Sequence, residues 1–190
     1  VSSFTQAFLG VLITTCLLVS AKKDCSAWRL IMFFGLLSFA MCSSFALMAI
    51  HTPWRILIGP AQGLVTLLSF VAMIQFAYTF QGGDTSPRSK RALALSPAIT
   101  GVVFLCGAFQ ADPNDRFMIL VLGFASGGLC VWPWVIFLMR SRAFTQDALG
   151  EPIGLFAALR YPVGKDARAH RAFARLMFLL VILSVMALLE

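Results

Sequence analysis

Ionisable side chains are missing from six long apolar stretches of this sequence, at about Ser3–Ala21, Leu30–Ile50, Ile56–Phe80, Ala92–Phe109, Phe117–Met139 and Leu176–Leu189. Not one Asp, Glu, Lys, Arg or His falls inside them. Proton relays, ion pumps and voltage sensors are built from such groups at bilayer depth, where each costs several kcal/mol unless paired. Their absence argues against ion-coupled transport. It argues equally against a membrane-embedded enzyme, because no buried acid–base pair or motif-borne nucleophile can be assembled. Histidine is scarce, with His51 and His170 alone, and both are expected at membrane edges. The five cysteines show no paired spacing, so neither a metal-ligand cluster nor a cofactor site is expected.

What the sequence has is apolar bulk. Of 190 residues, 59% are hydrophobic and 12% charged, and phenylalanine alone supplies 18. A soluble domain of this length could not hide that surface, so the solvent for it must be a bilayer. The hydrocarbon layer takes roughly 20 helical residues to cross, and backbone amides within it must be satisfied inside their own element. Alternating strand segments of the barrel type are absent. The expectation is an all-α, polytopic transmembrane helix bundle with about six membrane-spanning helices, forming one domain over residues 1–190.

The net charge of +7 raises the possibility of nucleic-acid binding, but its placement speaks for topology. Thirteen of the fifteen basic residues fall after the first, third and fifth stretches. Basic loops mark the cytoplasmic side, which puts the N-terminus outside and the last helix running outward. Arg88, Lys90, Arg91, Arg168, Arg171 and Arg175 are the candidate contacts for lipid headgroups, and no nucleic-acid partner is expected. Lys22-Lys23 directly after the first stretch, without a basic leader before it, indicates a retained helix rather than a signal peptide. The sequence opens without methionine and stops at Glu190 after an apolar run, so a piece of a longer chain is expected.

Short outer turns are expected at His51–Arg55 and at "QADPNDR", and a flexible inner loop at "QGGDTSPRSKR", with Pro87 blocking the helix from restarting. The long inner connection Arg140–Arg175 contains "IGLFAALRYP", which has the character of a short helix lying in the interface plane. After Gly164, Arg168, Arg171 and Arg175 fall at helical spacing on one face of an extension of the sixth helix.

Small and polar residues punctuate the apolar runs. Gly59 and Gly63 stand four apart, as do Gly123 and Gly127, a spacing that lets helix backbones approach in lipid. These are read as helix-packing positions. Gln62 and Gln75 can hydrogen-bond between helices. Pro60 and Pro97 are expected near helix starts, where a missing amide costs little, whereas Pro133 should kink the fifth helix between Trp132 and Trp134. Gln62, Gln75, Trp132, Pro133 and Trp134 are therefore the candidate ligand-lining residues, with interface packing as their plainer role.

"WRILIGPAQGLVTLLSFVAMIQFAYTFQG", Trp54–Gly82, resembles the third helix of the N-terminal seven-helix membrane sensor region of bacterial histidine kinases and related signalling proteins. The features in common are Pro60 near the outer end, the Phe76/Tyr78/Phe80 cluster near the inner end and Gly82 after it. "GKDARAHRAFARLMFLLVILSVMAL", Gly164–Leu188, is similar to the start of that region's sixth helix. The resemblance implies six of seven helices, a multi-pass domain of the bacterial inner membrane, and a two-component or related signalling role. A cytoplasmic output module would then require one more crossing after Glu190.

The expected function is a non-enzymatic sensory input domain that passes an external or intramembrane signal to that module. Its expected partners are membrane lipids and either a second copy, giving a homodimer, or other membrane subunits. The competing expectation is a structural accessory subunit of a larger membrane complex.

Overall fold

A computed structural model describes the backbone of residues 2–20, 25–49, 52–80, 87–108 and 116–189. Among the described residues there are seven helices and no strand: α1 (Ser2–Ser20), α2 (Cys25–Ala49), α3 (Thr52–Thr79), α4 (Pro87–Ala108), α5 (Arg116–Leu149), α6 (Leu155–Arg160) and α7 (Lys165–Leu189). Among the described residues, three segments are long and apolar enough to cross a membrane: Ile58–Thr79, Ser89–Ala108 and Gly123–Leu149. Gly10–Val19 and Ala27–Ala40 are shorter apolar helical segments. The helices cluster into two compact units, Val1–Ser126 and Gly127–Glu190, with the division falling inside α5.

In the first unit, helices adjacent in sequence pack on one another: α1 on α2, α2 on α3, and α3 on α4. The C-terminal half of α3 is the centre. Ser69, Val71 to Ile74, Phe76 and Ala77 are all buried, so the helix is covered nearly all round, as its uniformly apolar sequence requires. Phe33 of α2 joins this core, with its ring edge-on to Phe34 at 5.0 Å.

The peripheral helix α4 is built the opposite way. Its buried positions are Ser89, Ser96 and Thr100, while Leu95, Ile99, Val102 and Leu105 are 40–60% exposed. A helix in water turns its apolar face inward. Here the hydroxyls face protein and the aliphatic chains face outward, which is the polarity a hydrocarbon solvent selects.

Several helix boundaries differ from the sequence expectation, for one shared reason. The apolar runs stop at charged residues, whereas the helices continue past them. Thus α3 begins at Thr52 rather than after a turn reaching Arg55, and Pro60 is its ninth residue instead of lying near its start. Pro97 is likewise the eleventh residue of α4. There it removes the amide that would bond to the Leu93 carbonyl, and Ser96 Oγ donates to that oxygen instead at 3.2 Å. Pro87 does not block α4 but is its first residue, where a missing N–H is free of cost and the fixed φ suits a helix. The fifth helix runs on through Pro133 to Leu149, ten residues past Met139. Gly150, with φ of 72°, then ends it in the left-handed conformation, its N–H donating to Gln146 O at 2.8 Å. The turns expected around Gly82-Gly83 and at "QADPNDR" lie outside the described residues, apart from Arg116 at the start of α5.

The second unit consists of the C-terminal part of α5, the six-residue α6 and α7. The short helix expected within "IGLFAALRYP" is α6, and Gly164, with φ of 92°, precedes α7. The α7 residues buried here are Ala167, His170, Ala174 and Met177, a stripe with spacings of three and four.

Candidate functional site

The candidate site of the first unit is a groove of about 550 Å³ between α3 and α4. Its volume is that of a small-molecule site, and its walls are mainly apolar. Phe70 of α3 and Val103 and Phe104 of α4 supply the bulk of the lining, with Gly59, Pro60 and Gly63 along one side. These small residues leave the space open. A Cβ built at Gly59 or Gly63 meets nothing within 4 Å, so neither glycine brings two described backbones together. The same holds at Gly123 and Gly127.

Close backbone approach occurs elsewhere, between α1 and α2. A Cβ at Gly10 would collide with the Ser38 hydroxyl, and one at Gly35 would lie 3.7 Å from the Thr14 methyl. Ser38 is buried there, with its Oγ donating to Phe34 O at 2.6 Å. Thr14 Oγ1 donates to Gly10 O at 2.7 Å. Hydroxyls that bond back to their own helix need no further partner in an apolar medium, so they can form the seam.

Polar side chains at the groove are Gln62 and Thr66 of α3 and Ser126 of α5. Gln62 Nε2 donates across to Ala40 O of α2 at 3.2 Å, an oxygen that also accepts Ser43 Oγ at 2.8 Å. Thr66 Oγ1 donates to Gln62 O at 2.9 Å, and Ser69 Oγ to Thr66 O at 2.6 Å. The groove wall is thereby tied to α2 through the Gln62 amide. Of the five ligand-lining candidates, Gln62 alone lines this groove. Gln75 is half-buried thirteen residues along α3, about 20 Å away by helical rise. Trp132, Pro133 and Trp134 belong to the second unit, where Pro133 is buried and Trp134 stacks on Phe178 at 5.5 Å.

The second unit holds a cluster that the sequence reading passed over. His170 is buried, with its ring 5.0 Å from Phe144 and 6.0 Å from Phe137, and Phe137 stacks on Phe173 at 5.3 Å. Its Nδ1 donates to Asp166 O at 2.8 Å. One turn away, the buried Ser141 Oγ of α5 donates to Ala167 O of α7 at 3.0 Å. Burial lowers the His170 pKa below its ordinary value. The Arg140 charge lowers it further, while the Asp166 carbonyl and carboxylate pull the other way. The signal for this position was available: His170 falls in register with Ala167, Ala174 and Met177, on the face away from the exposed Arg168 and Arg175.

The basic residues divide by role. Arg142 Nε donates to Ile153 O at 2.8 Å, and Arg171 Nη1 to Leu159 O at 3.1 Å and Arg160 O at 3.3 Å, so both hold the connection between α5 and α7. Lys90, Arg91, Arg168 and Arg175 are exposed, while the Arg88 side chain lies outside the described residues. Among the described residues no group of His, Cys, Asp and Glu could hold a metal ion.

Compared with known protein families, curated proteins and solved structures, the chain matches none.

Proposed function

We propose that this chain is a multi-pass membrane input domain that receives a small, largely apolar molecule in the α3–α4 groove. The observation that carries the reading is the groove itself, which shares Gln62 with the hydrogen bond that ties α3 to α2. A molecule seated against Phe70 and Phe104 that pulls on Gln62 favours one α2–α3 packing over another. Only such a difference in affinity between two packings can transmit a signal. In the full proposal there are six crossings with the N-terminus outside, in a bacterial inner membrane. The last helices pass the change to a cytoplasmic output module of the histidine-kinase type, within a homodimer. The inverted polarity of α4 supports the membrane setting, and the resemblance supports the signalling one.

The test is to purify the full-length protein from its native membrane, as wild type and as Gly63→Leu, and to identify co-purifying small molecules by mass spectrometry. Leucine at 63 fills the groove while its Cβ meets no neighbour. The wild type should retain an apolar molecule that the variant loses by at least about tenfold. Equal retention by both refutes the groove. Purification as a fixed-ratio part of a larger complex selects the accessory-subunit reading instead.

A further inference from the structure

The connection between α5 and α7 is pinned at both ends. Arg142 Nε and Gln146 Nε2 donate to Ile153 O at 2.8 and 3.2 Å. Arg171 Nη1 donates to the carbonyls of Leu159 and Arg160, which α6 leaves without intrahelical partners at its C-terminus. Ala158 is fully buried beneath the helix. A helix of six residues does not persist on its own in water, so these contacts fix both its existence and its orientation.

The outward face of this pinned helix is aromatic. Phe156 is 86% exposed and lies two residues, about 200° of rotation, from Ala158. Tyr161 follows at 66% exposure, with the Arg160 guanidinium 5.4 Å from its ring centre. Arg160, Lys165 and Arg168 are exposed in the same segment, and from Ile153 to Arg175 the sequence contains one carboxylate, Asp166. The tethers to Arg142 and Arg171 hold α6 beside α5 and α7 close to where their apolar stretches end, at Met139 and Leu176.

We propose that α6 is an interfacial anchor. Phe156 and Tyr161 sit in the headgroup–acyl boundary of the bilayer that α5 crosses, and Arg160, Lys165 and Arg168 bind the phosphates of anionic lipids around them. Two features single out lipid as the occupant: continuity with a helix long and apolar enough to cross a membrane, and net positive charge in the segment that carries the exposed aromatics.

The test places the photoreactive p-benzoyl-phenylalanine at position 156, and separately at 161, of the full-length chain in bilayers of phosphatidylcholine with phosphatidylglycerol. Both side chains are exposed, so neither replacement disturbs packing. Irradiation followed by mass spectrometry should yield an adduct of one phospholipid. The yield should fall when phosphatidylglycerol is omitted, and by up to about fivefold with Arg160→Gln, Lys165→Gln or Arg168→Gln. A protein adduct, from a second copy or another subunit, overturns the proposal, as does the absence of any adduct at both positions. Equal lipid adducts in both bilayers and in all three variants overturn its electrostatic half.

Discussion

Gly10 of α1 lies against Ser38 of α2 so closely that a methyl group at position 10 would overlap the serine hydroxyl. That hydroxyl cannot simply turn away. It is buried and bonded to Phe34 O, and its Cβ also stands 3.2 Å from the added atom. Gly10→Ala should therefore destabilise the first unit by roughly 1–3 kcal/mol, the cost of overpacking. Adding Ser38→Gly should restore most of the loss. Thermal unfolding in detergent measures both, and an undiminished midpoint for Gly10→Ala refutes the seam.

Two hydroxyls on the same face of α4 should respond in opposite directions. Ser96 Oγ serves the Leu93 carbonyl that Pro97 leaves without its amide, so Ser96→Ala should cost about 1 kcal/mol or more. Thr100 Oγ1 is buried with no hydrogen-bond partner among the described residues. Thr100→Val keeps the shape and removes a desolvated polar atom, so it should be neutral or stabilising by up to about 1 kcal/mol. Denaturant titration of the two variants checks the sign, and parallel losses would contradict the assignment.

Stability of the second unit should depend on the protonation of His170. Its pKa in the folded protein lies below the ordinary value of 6.5, so the unfolded chain binds the proton more readily. The stabilisation is complete above about pH 6.5 and fades as pH falls through the depressed folded value, with a slope of at most about 1.4 kcal/mol per pH unit. His170→Leu should flatten that part of the profile, with Arg140 and Asp166 left in place. Unfolding midpoints between pH 7 and pH 5 test this, and identical slopes for wild type and variant would exclude His170 as the source.

The all-helical character, three of the six expected spans and α6 were legible in the sequence because each depends on composition within its own segment. Gln62 was legible as a bridge because a lone amide in an apolar run needs an acceptor, though not that Ala40 would supply it. The identity of the close seam was not legible. Four-residue spacing of small residues recurs on several helices, and only the facing surface decides which instance is used. Gly10 and Thr14 of α1 meet Ser38 and Gly35 of α2, whereas Gly59 and Gly63 border open space. Arg171 shows the same limit. Its register on α7 placed it with Arg168 and Arg175, but the carbonyls it meets come from a helix eleven and more residues earlier.

The arrangement of α4 also sets the terms for handling the molecule away from its bilayer. A version of the first unit meant to dissolve without detergent would have to recolour the outer surface of that helix, replacing Leu95, Ile99, Val102 and Leu105 with ionic side chains. The serines and threonine beneath could stay as they are, since they already touch only protein. Fewer than a handful of substitutions on one rod would reverse its preferred surroundings without disturbing how it docks.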